Sequence, residues 1–243
     1  MSLKKLQYFK TEQSSIGLFS KKEAAELIGS GLHHVHSSSL GIKDPLFKLT
    51  NDGIGSKSIV TYPWEIVTEP NKTFVTSSKN RKWIIQEILS LLKVKEASSL
   101  EDKIWTSLEE LLTNSLFHAY HNHDGSEKYH RKETVELLPE EKILLTFQRG
   151  SQGIFLSVKD SGQGLLFNKI QKAFERCTKF EDLSQIESKD GGAGLGLFVV
   201  FNLTTHLKII SGSLSGTEIH CWFADPSAVG QDHFSFNYFE GVR

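Results

Sequence analysis

The stretch EELLTNSLFHAYHNH, residues 109–123, sets three histidines and two carboxylates within a short length of chain. Two chemistries compete for it. One is a metal cage built from His118, His121 and His123. The other is the quieter spacing Glu110, Asn114, His118, whose members fall within an arc of about 80° on a helix. Ile104, Leu108, Leu111, Leu112, Leu116 and Ala119 take the far side, so such a helix buries its aliphatic face and presents acid, amide and imidazole together. An amide oxygen suits Mg²⁺, which keeps most of its waters and takes few protein ligands. A carboxylate one turn away can orient a water or hydroxyl for attack on a phosphate. The same spacing also fits any solvated helix face, so it needs company. His121 and His123 lie where the helix gives way to a polar insert, and with no third ligand spacing they read as solvated histidines.

Company comes from two glycine patterns. In VKDSGQGL, Asp160 ends a strand and Gly162 and Gly164 follow directly. A fixed carboxylate beside backbone without Cβ atoms lets a flat ligand approach, and an adenine amino group is a natural donor to it; a plain Asp-x-Gly turn gives the same letters. In DGGAGLGLFVV, glycines run into an apolar helix, placing free backbone N–H groups and the positive helix end where phosphates could sit. Gly192-x-Gly194-x-Gly196 does not fit the dinucleotide fingerprint, and GIGSKS at 53–58 is not a P-loop, because Lys57 follows Ser56 and not a glycine.

The elements that must position these residues are legible in outline. Lys21 to Ile28 forms a short helix, followed by GSGLHHVHSSSLG, whose composition predicts a loop. Short apolar runs at 46–49 and 58–67 predict hairpin-like strands. From Thr73 the elements lengthen: FVTSS as a strand, and NRKWIIQEILSLLK as a helix with Trp83, Ile84, Ile88, Leu91 and Leu92 on its stripe. A second helix, SSLEDKIWTSLEELLTNSLFHAY, is capped by Ser98 or Ser99, with Glu101 or Asp102 in its first turn. After the polar insert 121–139, KILLTFQR and GIFLSVKD flank Gly150-Ser-Gln-Gly153 as an antiparallel hairpin. NKIQKAFERC is helical, TKFEDLSQIESKD is polar, and the glycine-led helix FVVFNLTTH is followed by strands LKIISGS and TEIHCWF. Helices set against a mainly antiparallel sheet give an α+β fold.

Bulk properties narrow the function classes. A net charge of −1, with 38% hydrophobic and 23% charged residues, describes a soluble globular chain without the basic face of a nucleic-acid binder. Residues 1–82 carry 12 Lys/Arg against 7 Asp/Glu, a surplus of five that is scattered as solvated surface. No apolar run approaches the roughly 18 residues that span a bilayer, and MSLKKLQYFKTEQ lacks a secretory core, so the expected location is cytoplasmic. Cys177 and Cys221 show no ligand or disulfide spacing and read as reduced thiols.

Taken together and in this order, the motifs resemble those of the GHKL ATPase superfamily, the group of histidine kinases, type II topoisomerases and mismatch-repair ATPases. Glu110-x-x-x-Asn114 looks like its N box, Asp160-x-Gly162-x-Gly164 its G1 box, and Gly192-x-Gly194-Leu195-Gly196-Leu197 its G2 box. Gly216-Thr217 matches the Gly-Thr of the last strand pair, and KIQKAFER the segment before the ATP lid. The resemblance covers roughly residues 72–225, leaving an N-terminal region 1–71 of unknown role, read as small and β-rich, and a C-terminal tail 226–243. It implies a two-layer sandwich with helices on one face of a mixed, mainly antiparallel sheet. It also implies an ATP site: Asn114 on Mg²⁺, Glu110 as general base, and Asp160 accepting from adenine. Gly162 and Gly164 would line the base pocket, Gly192 to Leu197 would meet the phosphates, Thr217 would lie near adenine, and residues 178–191 would form the lid.

Within the superfamily, EELLTNSLFHAY is most similar to the E-x-x-x-N-x-x-x-H-A-Y run of the anti-sigma-factor serine kinases, which also places His118 at the site. That implies transfer of the ATP γ-phosphate to a serine of a partner protein, or a nucleotide-dependent regulatory switch. The alternatives are a histidine kinase catalytic unit acting on a separate phosphoacceptor, or nucleotide binding without turnover. Residues 1–70 offer no phosphoacceptor helical hairpin, and about 18 residues after Asp225 are too few for a transducer domain. Phe117 stands where histidine kinases often carry a basic residue. The partners expected are ATP and a protein substrate or regulator, with no nucleic acid and no membrane, leaving room for a homodimer.

Overall fold

The computed structural model describes residues 7–10, 14–38, 70–179, 195–212, 215–224 and 233–240. The expected strands at 46–49 and 58–67, Gly192 and Gly194, and nearly all of the expected lid lie outside them. Nine strands form one sheet: β1 (Gln7–Lys10), β2 (Ser14–Gly17), β3 (His34–Ser37), β4 (Asn71–Val75), β5 (Ile143–Gly150), β6 (Gly153–Asp160), β7 (His206–Gly212), β8 (Gly216–Ala224) and β9 (Phe234–Glu240), in the order β1-β2-β3-β9-β7-β8-β6-β5-β4. The pairs β2–β3 and β7–β9 are parallel and the rest antiparallel. Five helices accompany them among the described residues: α1 (Lys21–Gly29), α2 (Arg81–Leu91), α3 (Ser99–Phe117), α4 (Phe167–Thr178) and α5 (Leu195–Leu203). This is the expected α+β sandwich.

Alternation along the strands makes the sheet two-faced. One cross-strand row runs Phe147, Leu156, Cys221, Leu207, Phe236, Val35, and the next runs Leu145, Val158, Ile219, Ile209, Tyr238. These side chains are buried and form one core with Ile85 and Ile88 of α2, Leu108 and Leu112 of α3, Phe174 of α4 and Phe201 of α5. On the other face the corresponding row is polar: Thr146, Ser157, His220, Lys208, Asn237, His34.

Three sequence expectations are corrected. Inside GSGLHHVHSSSLG the chain forms β3, because Val35 enters the core and its partner β9 lies some 200 residues away, beyond the reach of local turn chemistry. The segment after Asp225 is not a free tail throughout, since β9 sits between β3 and β7. On α2 the buried stripe is Ile84, Ile85, Ile88, Leu89 and Leu92, while Trp83 and Leu91 are 63% and 56% exposed. Counting apolar residues on that helix offers two overlapping stripes, and the sheet selects one.

Phe236 of β9 is fully buried, its ring 5.7 Å from that of Phe174 and 6.1 Å from that of Phe201. Phe236→Ala should therefore lower stability by about 3–5 kcal/mol, measured by urea denaturation of the full chain. A loss below about 1 kcal/mol would place β9 outside the core.

Candidate functional site

Helix α3 starts at Ser98, whose side chain accepts from the Glu101 amide at 3.2 Å, with Glu101 and Asp102 in the first turn where the helix dipole favours acids. Its aliphatic side is buried as the sequence spacing requires. The helix is held in rotation by Arg81 of α2, which pairs with Glu109 at 2.8 Å and donates to the Thr113 hydroxyl at 3.0 Å. Of the two adjacent carboxylates, Glu109 is thus engaged in packing α2 on α3. Glu110 faces the start of α5 instead, and a Cβ placed on Gly196 would land on its carboxylate. Glycine there lets α3 and α5 close on each other. Among the described residues, neither the Glu110 carboxylate nor the Asn114 amide one turn on has a side-chain hydrogen bond.

The second carboxylate of the site is in the opposite condition. Asp160 is buried at the end of β6, in the row Ile143, Asp160, Thr217, Ser211 that faces the helices. Its Oδ1 accepts from the amides of Gly162 at 3.0 Å and Thr217 at 3.2 Å, and Oδ2 accepts from the Ser115 hydroxyl at 3.2 Å. Burial pushes this carboxyl above the ordinary carboxylate range, and the three hydrogen bonds to the charged form pull against that shift. One lone pair of Oδ2 remains for a further donor.

The turn after Asp160 is moulded to its surroundings. A Cβ on Gly162 would strike the carbonyl of Ala119, and the Gln163 amide donates to that carbonyl at 3.0 Å. Gly164 has φ +83° and a Cβ there would strike the carbonyl of Gly212. Ser211 accepts from the Leu165 amide and contacts the Thr217 hydroxyl at 3.3 Å, while the Tyr238 hydroxyl donates to the Leu165 carbonyl at 3.1 Å. β9 therefore supports the turn from below.

His118 terminates α3 and is engaged by the insert. Arg131 can only donate, and it donates to Nε2 at 2.7 Å, so the ring proton lies on Nδ1 and is given to Glu127 at 2.5 Å. The insert is itself anchored: Val135 is buried in the core, Ser77 donates to Glu136 at 2.8 Å, and Lys128 donates to the buried Glu141 at 2.6 Å. His121 forms a bridge with Glu127, and His123 is exposed. No group of three His, Cys, Asp or Glu suited to a metal ion occurs among the described residues.

The structure thus sets Glu110 against Gly196 at the α3–α5 contact, with Asn114 one turn further along α3, and brings Asp160, Gly162, Gly164 and Thr217 together beneath the end of α3. Leu195 is half-buried and Leu197 lies in the core, which leaves the Leu197 backbone, not its side chain, for a ligand. Cys177 and Cys221 are free and buried, and burial pushes both thiols upward. Sequence reasoning missed Ser115, Ser211, Ala119 and Tyr238. Ser115 stands beside Asn114 in the chain, yet its partner Asp160 is 45 residues on, and no spacing announces that contact.

Residues 84–221, more than half of the chain, match the histidine kinase-like ATPase domain model, and the chain belongs to that family. Over 112 residues, 45% of this chain, it is 29% identical to the hybrid signal transduction histidine kinase K of Dictyostelium discoideum. The match spans only 9% of that protein's length. No helix among the described residues is long and apolar enough to cross a membrane.

Ser115→Ala removes the donor to Oδ2 and should lower stability by about 1–2 kcal/mol at neutral pH. Because that bond favours the charged carboxylate, the deficit should shrink as pH falls through the raised Asp160 titration. Denaturation of both proteins between pH 4 and 7.5 checks this; a pH-independent deficit would show that Ser115 does not act on the carboxylate.

Proposed function

We propose that this chain binds ATP with Mg²⁺ and transfers the γ-phosphate to a serine or threonine of a partner protein, as a cytoplasmic signalling kinase or anti-sigma-like regulator. One observation carries the reading: two site carboxylates stand in opposite states. Asp160 is buried and fixed by three hydrogen bonds, as a recognition group must be. Glu110 has no described hydrogen bond and meets the glycine-led end of α5, as a base that orients a nucleophile must. Between these two functions lies Asn114, whose unpaired amide oxygen suits a Mg²⁺ that arrives with phosphates. Bound Mg²⁺ would neutralise phosphate charge as transfer proceeds.

The residues divide the work accordingly. The free lone pair of Asp160 Oδ2 accepts from the 6-amino group of adenine. Gly162 and Gly164 leave room for the flat base, and Thr217 borders it. The N-terminal turn of α5 and the glycines before it, Gly192 and Gly194, receive the phosphates through backbone N–H groups. Glu110 orients the attacking hydroxyl. His118, already held between Glu127 and Arg131, contributes an oriented imidazole at the border of the Asn114 face.

A second reading is favoured by the matched relative, whose name is that of a histidine kinase. In it this chain is a catalytic unit that phosphorylates a histidine on a separate protein. The two readings differ in product: phosphoserine survives acid, phosphohistidine does not.

Two substitutions test the reading. Glu110→Ala should abolish phosphate transfer, by at least about a hundredfold, while calorimetric ATP affinity stays within about threefold. Equal loss of binding and transfer would remove Glu110 from the base role. In Asp160→Asn the two backbone donors hold the amide oxygen at Oδ1, so the NH₂ group must take the Oδ2 position. Facing the adenine amino group it sets donor against donor, whereas a 6-oxo base offers an acceptor. ATP affinity should fall about a hundredfold and the ratio of ATP to ITP affinity should move toward ITP. An unchanged ratio would show that Asp160 does not read the base. The Asn variant should also gain stability over the parent as pH rises from the ordinary carboxylate range through the raised Asp160 titration, and hold that gain above it, since it has no buried charge to form.

A further inference from the structure

The N-terminal segment reaches the same helix from its far end. Ser20 and Glu23 form a capping box that fixes the start of α1, the Glu23 amide donating to Ser20 Oγ at 3.2 Å and the Ser20 amide to Glu23 Oε2 at 2.9 Å. Lys21, the first residue of α1, then runs inward. Its ammonium donates to the carbonyls of Phe201 and Thr204, each at 2.8 Å, at the C-terminal end of α5. It also lies 4.3 Å from the ring centre of Phe201 and 4.5 Å from that of Phe234. A cation in the first turn of its own helix opposes that helix's dipole, whereas at the end of α5 it complements the dipole and satisfies carbonyls the helix leaves unpaired.

This contact belongs to a broader brace. The backbone of Gly29 packs on that of Glu175 in α4, with room for no side chain between them, and His33 stacks on Phe167 at 3.8 Å between ring centres. The N-terminal segment therefore holds both α4 and α5.

We propose that Lys21 is a positioning residue for nucleotide binding: its charge at the C-terminal end of α5 favours phosphate at the N-terminal end, so the N-terminal segment and pH together set nucleotide affinity. The proposal rests on the ATP-binding reading above. A nine-residue helix is about 13 Å long, so an ammonium at one end and a polyanion at the other attract directly through the protein interior, and by linkage each favours the other. Burial lowers the Lys21 ammonium to about 7, which puts its loss of charge within reach of ordinary pH.

The surrounding groups do not mask this. His206 of β7 stands beside Lys21, with His233 and His36 of β3 around it, and burial keeps the His206 imidazole well below its usual range. On α1 itself, Glu23 is engaged in the capping box and Lys22 follows in the chain. No carboxylate among the described residues forms an ion pair with Lys21. The sign follows: below about pH 7 the ammonium is charged and supports phosphate binding, and above it that support is lost.

The test is calorimetric titration of the full chain with ADP and Mg²⁺, and with adenosine, from pH 6 to 8.5, for the parent, Lys21→Met and Lys21→Arg. Methionine keeps the volume and replaces a buried charge by an apolar group, an exchange that commonly preserves stability. The ligand's own phosphate titration is common to all three and cancels in their ratios. The parent should bind ADP roughly threefold to tenfold more tightly than Lys21→Met at pH 6, the size of a unit-charge attraction over about that distance at an effective dielectric of about 20, and the two should converge by pH 8.5. Lys21→Arg, which stays charged, should keep the tighter value throughout, and adenosine affinity should not differ. Parallel pH curves for parent and Lys21→Met, or equal losses for ADP and adenosine, would overturn the proposal. Failure of the parent to bind either ligand would instead remove the ATP-binding reading beneath it.

Discussion

Everything at the site depends on closing a buried carboxylate into a hydrogen-bond cage. Asp160 accepts from the turn that follows it, from the neighbouring strand β8 and from α3. These three bonds fix the end of the sheet, the glycine turn and the rotation of the helix in one step. Leaving a buried carboxylate unpaired is costly, so each donor is a strong constraint on the element that carries it. The glycines extend the same constraint: Gly162 lets the turn touch Ala119, and Gly164 lets it touch Gly212. Displacing α3 would expose the carboxylate to an incomplete cage.

Around that node the sequence spends three carboxylates in three ways. Glu109 is paired with Arg81 and ties two helices together, Asp160 is caged, and Glu110 is left facing α5. Burial and hydrogen bonding, not residue type, separate these roles. Helix geometry does part of the sorting, because adjacent residues on α3 point about 100° apart. The insert adds a further layer by holding His118 between Glu127 and Arg131.

Segments on both sides of the matched region are built into this arrangement. β9 lies inside the sheet and sends Tyr238 to the turn after Asp160. The N-terminal segment adds three strands to one edge of the sheet and lays α1 against α4. Lys21 then reaches the end of α5 whose other end meets Glu110. Segments without counterpart in the motif pattern are thus in contact with α4, with α5 and with the turn after Asp160.

The sequence by itself determined the local elements and their order. The apolar spacing of α3, the Ser98 cap, the Gly150–Gly153 hairpin and the glycine-led start of α5 all follow from interactions within a few residues, which a linear reading captures. The Glu110–Asn114, Asp160–Gly162 and Gly196 spacings were visible for the same reason, since each lies within one turn or one strand end. Only the tertiary structure decided which side of α2 is buried, that HVHS is a strand, and that the C-terminal segment is interior. It also decided that Glu110 and not Glu109 faces α5, and that Ser115 and Lys21 serve partners 45 and 180 residues away. Those outcomes turn on burial and on pairing between distant strands and helices, and such energies exist only once the chain has brought the partners into contact.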